Sequence, residues 1–198
     1  MDFNISRTKE NIMRAFAGES QARNRYIFAA EKALNDKEQM LHKVFLFTAD
    51  QELAHAKIFY NYMKECAGTN IKVNGNYPID TSEDMLKILR AAEHNENEEF
   101  SHEYAEFAKT AEEEGFMQIA NSFKMIGKIE KSHSDRFKML ADLMEDGKLY
   151  ISDIEIEWMC LNCGYIFNGK NVPQKCPVCS HEKGYFIRLE LAPFSACK

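Results

Sequence analysis

The sequence predicts a mainly helical protein, with four long helices packed as a bundle and a small β-rich unit that holds a metal through cysteines. Three observations carry this expectation. Residues 1–145 contain a single proline, Pro78, and four long stretches with apolar residues at helical spacing. Beyond "GKLYISDIEIEWMC" the texture switches to short alternating stretches, with Ile154, Ile156 and Trp158 on one period and three of the four prolines. Two Cys-x2-Cys pairs, twelve residues apart, lie in that second part.

The first helix is expected from about Ser6 to Leu34, ended by "NDK", and the second from about Glu38 to Cys66, stopped by Gly68. "GTNIKVNGNYPIDTS" is too rich in Gly, Asn and Pro for either regular structure and reads as an extended connection. Thr81 or Ser82 is placed to cap the third helix, with Asp84 in its first turn. That helix runs to about Glu114 before Gly115, and the fourth runs from Phe116 to about Glu145 before Gly147. Two short connections around one long one suit a four-helix bundle with a long crossover between its halves. The boundary falls near 146–155, giving expected units of 1–146 and 154–198. A unit of fewer than about 50 residues buries little core, so the second needs a metal or disulfides.

The chain has 198 residues, 45% hydrophobic and 28% charged, a globular rather than a disordered balance. A net charge of −6 and a pI near 5.6 argue against a nucleic-acid partner. No apolar run is long enough to span a bilayer, and "MDFNISRTKE" lacks the apolar core of a signal peptide. The expected setting is therefore the cytoplasm, with no membrane partner. Thiols stay reduced there, so clustered cysteines suggest metal before disulfide.

Each predicted helix carries an acid in its apolar stripe. Glu19 shares a face with Ile12, Ala15, Phe16, Ala22 and Tyr26; Glu52 lies with Phe45, Thr48, His55 and Phe59. Leu89, Ala92 and Phe100 accompany Glu96 and Glu99, and Phe123, Ile126, Phe137 and Leu140 accompany Glu130 and His133. Amphipathic helices ordinarily keep such groups in water, because burying them unpaired is costly. Two of the acids have a histidine at i+3, Glu52-x-x-His55 and Glu130-x-x-His133, on the same helical face. The arrangement also repeats: Glu19 and Glu52 are 33 residues apart, Glu96 and Glu130 are 34. Each half is a helix with one Glu followed by a helix with Glu-x-x-His, which predicts a pseudo-two-fold site at the bundle centre. Carboxylate with imidazole suits divalent iron or manganese, and this constellation is the known ferritin-like di-metal pattern. Glu93 with Glu96 is an equally good i, i+3 pair, but the repeat spacing favours Glu96, with Glu99 as a fifth carboxylate and Glu93 and Glu98 as surface residues. Ala22 stands where the second half has Glu99, so the two metal positions are expected to differ.

Cys160-x2-Cys163 and Cys176-x2-Cys179 form a tetrathiolate pattern for zinc or a single iron. Gly164-Tyr165 after the first pair, Pro173 before the second and Pro177 within it favour iron; a zinc ribbon is the competing reading. Cys66 and Cys197 lie far from these pairs, and Cys66 reads as a helix-end thiol.

Together these residues resemble the rubrerythrin family over nearly the whole chain. "GESQARNRY", "ELAHA", "NENEEF", "YAEFAKTAEEEGF" and "EKSHSDRF" are similar in order to its ferritin-like half, and "CLNCGYIFNGKNVPQKCPVC" to its rubredoxin-like half. Asn95 departs from a common glycine, and the chain near Glu93 carries about one extra residue. The resemblance implies a ferritin-like four-helix bundle with a rubredoxin-like iron domain, in homodimers or higher homo-oligomers. It implies reduction of hydrogen peroxide to water, protecting an anaerobe or microaerophile from oxidative stress. Electrons would come from NAD(P)H through partners such as a rubredoxin or its reductase. It carries over Glu19, Glu52, His55, Glu96, Glu99, Glu130 and His133 as di-iron ligands, and Cys160, Cys163, Cys176 and Cys179 as ligands of one further iron. His55 and Glu99 match positions that exchange at one iron with redox state, and Tyr26 and Tyr104 match tyrosines lining the site. Two other classes remain open on the residues alone: an iron-handling protein that oxidises ferrous iron with oxygen, and a structural module with a zinc ribbon.

Overall fold

The computed structural model describes residues 1–193, so Cys197 and the last residues of the expected 154–198 unit lie outside the described residues. Helix α1 (Arg7–Asn35) begins at Ser6, whose Oγ accepts from the Lys9 N–H at 3.1 Å. Its other first-turn donors are met from far along the chain. The Glu114 carboxylate accepts from the Arg7 and Thr8 N–H groups at 3.0 and 2.8 Å and from the Thr8 hydroxyl at 2.6 Å. Burial alone would raise the Glu114 pKa, but these bonds outweigh it and hold the carboxyl below its ordinary value. Its charge also faces the positive end of the α1 dipole.

Helix α2 (Gln39–Tyr62) stops short of the expected end at Cys66; a 3₁₀ turn, Lys64–Cys66, completes it and buries the Cys66 thiol. After the crossover, Asp84 rather than Thr81 or Ser82 caps α3 (Met85–Glu98), because its extended backbone lets the carboxylate accept from the Leu86 N–H at 3.0 Å. Ser82 instead accepts from the Asp84 N–H at 3.1 Å. The expected single third helix is interrupted. A π-turn, Glu99–Glu103, joins α3 to α4 (Tyr104–Glu113), and α5 (Met117–Glu145) follows. Gly115 and Gly147 end these last two helices with φ of 87° and 66°, which only glycine takes without strain.

Two apolar layers form inside the bundle. In one, Tyr26, Phe45 and Phe137 pack with centroids 5.2–6.1 Å apart; in the other, Phe59, Tyr104 and Phe123 do so at 5.1–5.8 Å. On α1, α2 and α5 the acids fall between residues of the two layers, so they lie at the middle of the bundle. Phe16 and Phe100, assigned to the inner faces from spacing, are only partly buried; Phe16 packs at the edge of the core and against Tyr60 at 5.3 Å.

The C-terminal unit is a three-stranded antiparallel sheet in the order β2 (Ile166–Asn171), β1 (Ile151–Cys160), β3 (Phe186–Arg188). Trp158, wholly buried, donates its indole N–H to the Gly169 carbonyl at 2.9 Å. Its apolar residues Trp158, Val172 and Phe186 join the same core as Ala33, Met40 and Leu41, so the sheet packs on one end of the bundle. Gly184 lies against the α1–α2 turn so closely that an added Cβ would collide with the Lys37 carbonyl oxygen. Among the described residues, no helix is long and apolar enough to cross a membrane.

Candidate metal centre

Steps of three and four along α1, α2, α3 and α5 bring Glu19, Glu52, His55, Glu96, Glu130 and His133 together, all at most 5% exposed. They form two overlapping groups. Glu19, Glu52, His55 and Glu130 place one ligand-type atom each within 4.8 Å of one another, and so do Glu52, Glu96, Glu130 and His133. Glu52 and Glu130 belong to both. His55 Nδ1 lies 3.0 Å from Glu130, 3.1 Å from Glu52 and 3.4 Å from Glu19. His133 Nδ1 lies 2.8 Å from Glu130, 3.0 Å from Glu52 and 3.5 Å from Glu96.

These contacts do not satisfy the groups. Glu19 Oε2, Glu52 Oε1, Glu96 Oε2, both Glu130 oxygens and His133 Nδ1 are buried without a hydrogen-bond partner. Native interiors rarely tolerate such orphans, and six converging on one place need a shared partner. Burial, with Glu52 adding to it and His55 opposing, pushes the Glu19 carboxyl up to about 8. Burial also raises Glu96, again with a neighbouring carboxylate, Glu130, adding to it. Burial would lower the histidines, yet the carboxylates outweigh it and lift His133 to about 11 and His55 far above its ordinary value. The cluster thus holds protons for want of positive charge. Two divalent cations would supply the four charges that four carboxylates need, so the donor set fits a pair of metal ions.

The two buried tyrosines cross the pseudo-two-fold axis: the Tyr26 hydroxyl donates to Glu96 and the Tyr104 hydroxyl to Glu19. Burial first, then these carboxylates, raises both phenols well above their usual range, so they stay protonated donors. Glu19 and Tyr26 are seven residues apart, Glu96 and Tyr104 eight. The extra residue of the second half therefore falls at the π-turn, a feature often found at functional sites. Glu99 opens that turn and belongs to neither ligand group. Burial, followed by the charges of Glu96 and Glu19, still raises its carboxyl well above normal. Glu93 does not enter; it pairs with Arg90 at 2.9 Å. Sequence reasoning passed over Gln51, whose Oε1 lies 3.0 Å from His133 Nε2, and Arg136, which donates to Thr48 at 2.9 Å and to Gln51 at 3.4 Å. Their only signal was proximity in the chain to Glu52 and His133.

The four paired cysteines also converge, with all sulfurs within 4.8 Å and no disulfide among the described residues. Cys160 Sγ is 3.7 Å from Cys179 Sγ, and Cys163 Sγ is 3.7 Å from Cys176 Sγ. A tetrahedron with metal–sulfur bonds of about 2.3 Å has edges of roughly 3.8 Å, so the cage fits a single ion. The His181 N–H draws the Cys179 thiol down to about 6. At Cys163 the Tyr165 N–H acts in the same sense, but burial and the other sulfurs push that thiol up to about 12.

Comparison with known proteins agrees with both centres. The family model described as rubrerythrin matches residues 10–141, and that of the rubrerythrin rubredoxin-like domain matches 158–187. The chain is similar to rubrerythrin-1 of Clostridium acetobutylicum, 43% identical over 183 residues that cover 91% of this chain and 93% of the relative. Rubrerythrin of Clostridium perfringens is 41% identical over 182 residues, again 91% and 93%. A solved structure of fully reduced, all-ferrous nigerythrin superposes with a TM-score of 0.62 at 27% identity, covering 91% of this chain and 86% of that one. The cofactors are accordingly a di-iron pair at the carboxylate–histidine centre and one iron at the four cysteines. With its two carboxylate-sharing groups in a ferritin-like bundle and its tetra-cysteine sheet, the chain belongs to the rubrerythrin family.

Proposed function

We propose that this protein is a non-haem di-iron peroxidase that reduces hydrogen peroxide to water with electrons relayed through its tetra-cysteine iron. The observation that carries the reading is the pair of overlapping ligand groups sharing Glu52 and Glu130, in one chain with a tetra-cysteine cage. Residues 1–146 would form the di-iron unit and 154–198 the electron-relay unit. Glu19 and His55 would serve one position, Glu96 and His133 the other, and Glu52 and Glu130 would bridge them.

The ferrous pair, when bound, supplies the two electrons that, with two protons, convert hydrogen peroxide to two waters. The chain's own groups do the rest. Tyr104 and Tyr26 hold one oxygen of Glu19 and of Glu96 by donating to it, leaving the other oxygen turned to the metals. The aromatic layers on either side exclude bulk water. Glu99, adjacent but outside both ligand groups, is available to carry a proton on its carboxyl oxygen to the departing oxygen. Glu99 and His55 would be alternative ligands for the same position, the carboxylate being the harder, anionic donor that suits a ferric ion. NAD(P)H-linked carriers such as a rubredoxin or its reductase would refill the cysteine iron, and the working form would be a homodimer or larger.

Anaerobic stopped-flow of the reduced protein tests this: peroxide should oxidise both centres faster than oxygen does. Faster reaction with oxygen would instead favour an iron-handling ferroxidase. A colourless protein with one zinc per chain would end the relay reading.

A further inference from the structure

The internal repeat exposes a difference between the two histidines. Positions 52 and 55 correspond to 130 and 133, an offset of 78 residues. Around His133 there is a polar brace. Arg136 donates to Thr48 and Gln51, Thr48 donates to the Val44 carbonyl at 3.1 Å, and the guanidinium lies 5.3 Å from the Phe47 ring centre. Arginine only donates, so the Gln51 atom it meets is the oxygen, and His133 Nε2 must carry the proton that it shares with that oxygen at 3.0 Å. In the neutral, metal-bound ring this would fix the tautomer, with Nδ1, which faces the carboxylates, left to the metal. Shifted by 78, the places of Gln51 and Thr48 are Ile129 and Ile126, and that of Arg136 is Ile58. The brace thus has no copy in the other half.

We propose that Gln51, held by Arg136 and Thr48, is a positioning residue that makes His133 the permanent imidazole of the di-metal centre. His55, which lacks such a support, is left as the one free to yield to Glu99. The second statement rests on the proposed redox exchange; the first does not. Outer partners of metal-bound histidines fix ring orientation, and their loss lowers metal affinity by roughly 10–100-fold.

The test uses the iron-loaded protein with a ferrous chelator under anaerobic conditions, and the Mössbauer signals of the di-iron pair. Gln51→Ile, which copies the other half, should weaken one of the two irons by about 10–100-fold and change one ferrous signal. Gln51→Glu keeps an oxygen acceptor for His133 and should restore both. Far-UV circular dichroism of the helices, with the visible absorption of the thiolate iron, reports that each variant is folded. Wild-type retention of both irons in Gln51→Ile would overturn the proposal, as would equal loss in both variants. A wild-type structure whose oxidised state releases His133 and keeps His55 would overturn it too. If neither histidine moves, the exchange reading fails while the affinity result still decides the role of Gln51.

Discussion

Removing the irons from the carboxylate centre should make the stability of the bundle fall as pH rises. Without cations, Glu19 is buried with its carboxyl raised from 4.5 to about 8. A carboxyl whose folded pKa lies above its unfolded value contributes stability that is complete below the unfolded pKa. That contribution is lost as pH rises towards the folded one. For Glu19 alone the span from 4.5 to about 8 corresponds to roughly 5 kcal/mol. His133, raised to about 11, acts in the same direction, its contribution declining above the ordinary histidine pKa. For a chain of this size roughly 5 kcal/mol is about 10–20 °C in Tm. Thermal melts of the di-iron-free protein, with the thiolate iron retained, should therefore fall by that order between pH 5 and pH 8. The iron-loaded protein should change little from pH 6 to 8 and melt higher throughout. A di-iron-free form as stable at pH 8 as at pH 5 would refute the idea that these acids lack charge compensation.

Three further outcomes are expected. Tyr104→Phe removes the donor that orients Glu19, and chelator competition should find one iron bound roughly 10–100-fold more weakly while far-UV circular dichroism is unchanged. Glu114→Gln should lower stability by about 1 kcal/mol in urea titrations at pH 7, since a charged partner of the α1 N-terminus is lost. In the wild type that contribution is present above the ordinary carboxylate pKa and disappears as pH falls through the depressed folded value, so the variant should show a flatter acid limb. Cys176→Ser should abolish the visible absorption of the thiolate iron. Chemically reduced protein should still consume peroxide, whereas turnover driven by an electron-donor protein should stop.

Much of the centre was legible because helical periodicity is local. Phe123, Ile126, Glu130, His133, Phe137 and Leu140 were read as one stripe from spacing, and all six are buried. The same logic failed at Phe100, because the π-turn it lies in shifts the helical phase by one residue. It misplaced the α3 cap for a related reason. Ser82 and Asp84 are both competent caps, and only the path of the crossover decides which carboxylate or hydroxyl meets the Leu86 N–H. Phe16 packs at the edge of the core, as its place on the stripe predicts, but is only partly buried because it also meets Tyr60 of a different helix.

From its sequence alone this protein was determined to be an acid-striped helical bundle with a tetra-cysteine appendix, since spacing of three, four and two-residue gaps acts over one or two turns of chain. Only the tertiary structure decided that Glu52 and Glu130 fall in both ligand groups while Glu99 falls in neither, that Gln51 supports one histidine, and that Glu114 closes the start of α1. The Gln51 and Glu114 contacts join residues 82 and 106 positions apart, and all of this geometry depends on how whole helices pack, which no local period encodes.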